Sequence, residues 1–405
     1  MTTLPFCLPP QISADTFLND YWQKKPLLIK NGLPKLVGMF EPDDILELAT
    51  FEDATARLIT QVGKNHNQWT LQNSPFTQKD LANLPEFWTL LVQNMEQWSP
   101  ELANLWHAFD FIPQWQRDDI MVSYAPTGGS VGRHYDDYDV FLAQGFGTRR
   151  WQLGRVCDET TEFLTGQPIR LLADTAEIWG EVVFDELLEP GDVLYVPPRL
   201  AHYGVAQDDC LTFSFGFRRP NLMQILDNLA DVATHHDKLC TPLQLKQSPQ
   251  AAGKLDLASI TQIKQTLLDL LNSPQGDLLI NQAVFETVSK RQYDVMLSEE
   301  PLDFEELVEM LENGITLSQD MASRIVYQSL PTGEKIVYVN GERLTSTADD
   351  TDPLAENVFS KTALQLLTYL ADGEVIGLND IEKAGVDMET IADWVDNAWV
   401  MVNDV

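Results

Sequence analysis

This 405-residue sequence is short of several things. Cysteine comes to 4, at Cys7, Cys157, Cys210 and Cys240, with no Cys-x-x-Cys pair. That scatter excludes a disulfide framework and a zinc–thiolate site, and it predicts buried free thiols in a reducing compartment. Long apolar runs are missing too, and none approaches the roughly 20 residues that a membrane span requires. The opening MTTLPFCLPPQISADTF has neither the basic nor the apolar stretch of a secretory signal, so a cytosolic chain with no membrane partner is expected. Basic residues are few: 27 Lys and Arg stand against 61 Asp and Glu, a formal net charge of -34. A surface so acidic repels phosphate backbones and argues against direct DNA binding. The same field would draw in a strongly basic protein, although high solubility alone would account for the charge equally well.

What is present is ordinary for a globular protein, with 44% hydrophobic and 22% charged residues and length for two or three domains. DTFLNDYWQKKPLLIK (15–30) reads as a short amphipathic helix, broken at Pro26, and then a strand. Residues 41–115 carry apolar positions at helical spacing, as in DDILELATF and EFWTLLVQNMEQW, and helices are expected there. From Asp119 to Phe217 the pattern changes to short strands, such as IMVSYA, YDVFLAQG, RRWQLG, VLYVP and LTFSFGF. Turns rich in glycine and proline separate them, which suggests an antiparallel barrel or sandwich.

After Pro220, residues 221–298 return to helical periodicity with leucine-rich faces. Packing within one chain is the commoner fate of such stripes, and pairing with a second copy is the alternative. Residues 300–405 read as a separate module. FEELVEMLENG is a helix stopped by Gly314, KIVYVNGERL is a hairpin turning at Asn340-Gly341, and two more helices follow. That order suits a winged-helix-like α+β fold. Its 5 basic and 22 acidic residues make it too acidic to read DNA.

The chemistry concentrates at His134-Tyr135-Asp136 and at His202. Side chains on a strand alternate faces, so His134 and Asp136 are expected on one face. The following TRRWQLG is expected to pair antiparallel with their strand. EPGDVLYVPPRLAH supplies a turn, a strand and the stiff Pro197-Pro198 bend that delivers His202. Two histidines and a carboxylate leave positions open on an octahedral ion, the arrangement of non-haem iron(II) oxygenases. A co-substrate such as 2-oxoglutarate needs a cation for its far carboxylate. Arg149 and Arg150 are both candidates, and strand alternation by itself does not choose between them. A metal-binding cupin without turnover would share the three ligands and have no need of the arginine.

On the stretches FLNDYWQKKPLLIK, DDIMVSYAPTGGSVGRHYDDYDVFLAQGFGTRRWQLG, EPGDVLYVPPRLAHYGV and FSFGFRRPN, the sequence resembles the bacterial ribosomal oxygenases of the JmjC type. The resemblance implies an α+β chain: a double-stranded β-helix (a JmjC/cupin jelly roll) at 1–219, a helical dimerisation region at 220–298 and a winged-helix-like domain at 299–405. It implies Fe(II) on His134, Asp136 and His202, O2 as oxidant, and 2-oxoglutarate held by Arg149, with Arg150 facing out. Ser123, Thr212 and Ser214 fall at positions lining the co-substrate pocket, and Thr212 departs from the asparagine expected there. Asp137, Tyr138 and Asp139 are the candidates for walls around a substrate side chain. The family hydroxylates ribosomal proteins. By resemblance the substrate is an arginine of large-subunit protein sixteen and the enzyme a homodimer, with histidine hydroxylation of another ribosomal protein as the alternative.

Overall fold

Ser13 caps the helix Ala14–Asp20 (α1), its hydroxyl accepting from the Thr16 amide. The computed structural model describes residues 4–62, 68–180, 184–237, 239–245, 253–293, 295–297, 301–330, 332–346 and 359–403. The chain divides into two compact units, one ending at Arg218 and the other beginning at Arg219. The boundary expected at 298/299 lies outside the described residues. Among the described residues, no helix is long and apolar enough to cross a membrane. Cys7, Cys157 and Cys210 are buried free thiols, and Cys240 is an exposed one.

In the first unit, α1 is followed by Leu27–Ile29 (β1), Pro42–Leu48 (α2), Ala56–Val62 (β2), Gln68–Asn73 (β3), Gln78–Leu81 (α3), Phe87–Val92 (β4) and Pro100–Ala103 (α4). Then come Arg117–Ala125 (β5), Asp139–Phe146 (β6), Arg149–Val156 (β7), Ala176–Trp179 (α5), Phe184–Leu188 (β8), Val193–Val196 (β9), Leu200–Ala206 (β10) and Cys210–Phe217 (β11). One sheet has the order β1-β9-β6-β11-β5-β4-β2-β3, and the other β10-β7-β8. Between them Val140, Leu142, Leu194 and Val196 pack against Trp151, Leu153, Leu188 and Leu200, the inner core of a double-stranded β-helix. The outer face of the large sheet is aromatic: Phe141 and Tyr195 meet Phe17 of α1 at ring separations of 5.7 and 5.0 Å.

Two expectations are corrected here. The stretch 41–115 is not mainly helical, because it contributes β2, β3 and β4 to the large sheet. Leu90, Leu91 and Val92 of β4 are all buried, so the run shows none of the alternation that marks a half-exposed strand. Nor does β7 pair with β6. Both edges of β6 are taken, by β9 and β11, so β7 has to join the other sheet beside β10 and β8. Gly147 makes the crossing at φ +57, where a Cβ would lie 2.0 Å from the Asp209 carbonyl oxygen.

The second unit opens with three helices, Leu222–Thr234 (α6), Leu257–Leu271 (α7) and Pro274–Ser289 (α8). The last stops at Ser289, short of the helix expected through RQYDVM (291–296), in which Asp294 lies outside the described residues. Among the described residues these helices share a small cluster around Val232, Leu279 and Ala283, and Phe285 of α8 stacks on Tyr338. Leu222, Met223 and Leu257 are 70%, 71% and 77% exposed, and Leu226 and Leu267 are exposed as well. On α6 and α7 the expected burial of these stripes within one chain is therefore incomplete.

Phe304–Glu312 (α9), Thr316–Gln319 (β12), Ile325–Ser329 (β13), Lys335–Val339 (β14), Glu342–Leu344 (β15), Lys361–Ala371 (α10), Leu378–Ala384 (α11), Met388–Asp396 (α12) and Val400–Asn403 (β16) complete the unit. β14 and β15 form the hairpin at Asn340-Gly341, and Leu307, Leu367, Ile381 and Trp394 centre this module's own core.

Candidate active site

The loop before β6 is stitched to β10 by backbone. His134 and His202 exchange amide–carbonyl hydrogen bonds of 3.1 and 2.8 Å, and the Arg199 amide donates to the Asp136 carbonyl at 2.6 Å. Arg199 follows Pro197-Pro198 at φ +63, so the proline bend that leads to His202 also holds the loop of Asp136. His134 and Asp136 are thus not on a strand, since β6 begins only at Asp139. Backbone pairing to β10 brings them together, and alternation along a strand does not.

Each imidazole is oriented from behind. His134 Nδ1 lies 3.0 Å from the Gly132 carbonyl and His202 Nδ1 lies 2.9 Å from the Leu200 carbonyl. A carbonyl can only accept, so Nδ1 carries the proton and Nε2 keeps its lone pair for an ion. The two Nε2 atoms stand 3.9 and 3.5 Å from Asp136 Oδ2, and the ligating atoms of all three residues lie within 4.8 Å of one another. Burial, and next the neighbouring His202, push the His134 pKa down to about 4. At Asp136 burial pulls upward, but hydrogen bonding to His202 and Tyr138 and the nearby histidines bring the carboxyl to about 2. At neutral pH His134 is therefore neutral and Asp136 ionised, the forms that bind metal. Two imidazoles and one carboxylate match the donor set of a non-haem iron(II) site.

Arg149 and Arg150 part as neighbours on a strand must. Arg150 is exposed and grips Asp185 through Nε and Nη2 at 2.6 and 2.9 Å. Arg149 points into the barrel and is 3% exposed. Its Nη1 donates to Ser123 Oγ at 2.9 Å, while Nε and Nη2 are buried with no hydrogen-bond partner. A buried guanidinium with two unused donors fits a carboxylate that accepts in a fork. Ser123 Oγ in turn donates to the Thr212 carbonyl at 3.3 Å, and the Thr212 hydroxyl donates to Gln144 Oε1 at 2.8 Å. Ser214 lies on the same face, paired in register with Leu142 and Met121. Gln144 and Trp151 share this inner wall and were not singled out from sequence; alternation along β6 and β7 was the available signal.

The three candidate substrate residues go to three places. Asp139 is buried on the aromatic side of the large sheet, accepting from the Tyr195 hydroxyl at 2.6 Å and from Gln23 Nε2 at 3.4 Å. Asp137 is exposed and bonds Arg199 Nε at 3.1 Å. Only Tyr138 turns inward, where it packs on the inner core with its hydroxyl near enough to Asp136 to help lower that carboxyl's pKa. Its neighbourhood holds residues the sequence did not signal. The β11–β5 register slips between Phe215, opposite Ile120, and Phe217, opposite Arg117, so Asp118 and Asp119 both face Gly216. Such bulges re-aim side chains beside active sites. Asp119 accepts from Gln93 Nε2 at 2.6 Å, and Asp118 pairs with Arg218, whose guanidinium lies 5.0 Å from the centre of the Tyr138 ring.

Residues 104–225 match the JmjC domain family and residues 267–401 the ROXA-like winged helix. A probable ribosomal oxygenase from Haemophilus influenzae is 48% identical over 99% of both chains. The ribosomal protein uL16 3-hydroxylase of Escherichia coli is 32% identical over 84% of this chain and 88% of its own length. The solved structure of the E. coli ribosomal oxygenase YcfD in complex with cobalt and 2-oxoglutarate aligns with a TM-score of 0.74 at 27% identity, covering 97% of this chain and 99% of that one.

Proposed function

The chain belongs to the JmjC ribosomal oxygenases, and from that premise we propose that it is an iron(II)- and 2-oxoglutarate-dependent hydroxylase of an arginine β-carbon in ribosomal protein uL16. One observation carries the reading: three metal-binding side chains converge beside a buried arginine with two unused donors. His134 and His202 would hold the ion through Nε2 and Asp136 through a carboxylate oxygen. Arg149 would take the distal carboxylate of 2-oxoglutarate on Nε and Nη2, with Ser123 steadying the guanidinium from its other side. Thr212 and Ser214 line the wall between that carboxylate and the metal.

Iron(II), when bound, supplies the dioxygen chemistry that converts 2-oxoglutarate to succinate and carbon dioxide and passes one oxygen atom to the substrate carbon. The side chains do the rest. The carbonyls of Gly132 and Leu200 keep both histidines in the ligating tautomer. Val140, Leu142, Trp151 and Leu153 keep water from the interior. Tyr138 packs against the inner core next to Asp136 and would wall the side on which a substrate side chain approaches.

The net charge of -34 favours a basic protein as partner. The exposed leucines of α6 and α7 favour a second copy of the chain as their cover, which makes the enzyme a homodimer and 220–298 its dimerisation region. The test is intact-mass spectrometry of ribosomal proteins from cells with and without the gene, with Asp136→Ala as the inactive control. A gain of one oxygen on uL16, mapped to an arginine, is expected. An unmodified uL16 in cells with active enzyme would overturn the substrate assignment, and an oxygen on a histidine of another protein would move it there.

A further inference from the structure

The stretch 157–180, between β7 and β8, lies against the metal-binding loop, and two arginines take hold of it in the same way. Arg199 accepts the Cys157 amide on its carbonyl at 2.7 Å and donates from Nη1 to Glu159 at 2.6 Å. Arg133 accepts the Leu172 amide on its carbonyl at 2.8 Å and pairs through Nη2 with Asp174 at 3.0 Å. Each arginine adjoins a carbonyl that orients an imidazole: Gly132 before Arg133 serves His134, and Leu200 after Arg199 serves His202. The Arg199 amide donates to the Asp136 carbonyl, and its Nε donates to Asp137. Tyr135, between His134 and Asp136, packs on Phe163 of the same stretch with ring centres 5.4 Å apart. The backbone around all three ligands is thus gripped from outside the barrel. An arginine kept at φ +63, where glycine would be less strained, points to a use for its side chain.

Resting on the metal-site reading above, we propose that Arg133 and Arg199 are positioning residues for the metal, and that the stretch 157–180 is an electrostatic clasp that acts through them. Neither guanidinium is a ligand. Each ties an acid of the clasp to the peptide beside a ligand, and so fixes the carbonyls behind the imidazoles and the loop of Asp136. The three donors then meet an ion already ordered, and a preordered set binds more tightly than one that must order on binding. The acids of the clasp are exposed, so each pair is weak by itself and is screened by salt. Two pairs on one short stretch act together, and metal affinity comes to depend on them.

Titration of Co(II) into the full-length apo-protein, followed by calorimetry and by the visible absorption spectrum, tests this. Glu159→Gln combined with Asp174→Asn removes both acids and leaves the three ligands, the two arginines and the backbone links in place. That variant should bind Co(II) about three- to tenfold more weakly than wild type at low salt, with an altered spectrum. High salt should weaken wild type more than it weakens the variant. Glu159→Asp with Asp174→Glu keeps the charges and should recover most of the affinity. Glu177→Gln with Glu186→Gln makes the same change in net charge at exposed acids that pair with neither arginine, and should stay within about twofold of wild type. Unchanged Co(II) affinity and spectrum in the first variant overturn the proposal, even if its melting temperature falls, because the stretch is then only structural. An equal loss in the charge control overturns it as well, by reducing the effect to net charge. Asp136→Ala reads the metal site separately: if wild type binds Co(II), Asp136→Ala does not and the first variant matches wild type, only the clasp falls.

Discussion

Arg149→Met separates a co-substrate arginine from a structural one. The guanidinium has one hydrogen bond within the protein, to Ser123, and two buried donors without partners. Hydrogen bonds to charged groups contribute about 1.5–3 kcal/mol each, so two bonds to a carboxylate amount to about 3–6 kcal/mol. At about 1.4 kcal/mol per factor of ten, losing them should raise the dissociation constant for 2-oxoglutarate by about 10²–10⁴. The protein without co-substrate should behave in the opposite sense. Methionine removes a buried charge and two unsatisfied donors while filling much of the same volume, so unfolding stability should hold or rise. The assay is paired. Titration calorimetry of 2-oxoglutarate into Mn(II)-loaded protein gives the binding loss, and chemical denaturation of the apo-protein gives the stability. Binding of 2-oxoglutarate within threefold of wild type would refute the assignment. A marked loss of apo-stability would refute the view that Arg149 is held ready for a ligand.

Three further outcomes follow from the geometry. A Cβ on Gly204 would meet the Trp151 ring at 2.7–2.8 Å, and that ring centre lies 6.0 Å from the His202 ring, so Gly204→Ala should cost about 1–3 kcal/mol by overpacking and weaken Co(II) binding, read by calorimetry and by the cobalt absorption spectrum. His134 has a folded-state pKa near 4 against an unfolded value near 6.5. Because it is held neutral in the fold, its contribution to apo-stability is complete above pH 6.5 and is lost as pH falls toward 4, so His134→Gln should flatten the fall in apo-protein melting temperature across that window. Leu226→Asp combined with Leu267→Asp should convert a dimer to a monomer by light scattering; a monomeric wild type would dismiss the helical interface.

Much of the site is legible in the linear chain because its determinants are local. The Pro197-Pro198 bend before His202 and the opposite fates of Arg149 and Arg150 depend on a few neighbouring residues and on strand geometry, whereas His134 and Asp136 are held by backbone pairing to β10. Helix caps and the Asn340-Gly341 hairpin are local in the same way. Other features depend on competition between distant segments for hydrogen bonds and for apolar cover. β7 leaves β6 because β9 and β11 had already claimed both edges, and the buried run of β4 became a strand because a sheet stood ready on either side of it. Asp139 turned outward because Tyr195 and Gln23 met it there, while Tyr138 went inward to Asp136. The slip that sets Asp118 against Arg218 exists only where β5 and β11 pair, and no run of residues in either strand announces it. Periodicity marks α6 and α7 as amphipathic, but it says nothing about which surface their leucines must find. That is settled by what else in the fold, or in a second copy, is left uncovered.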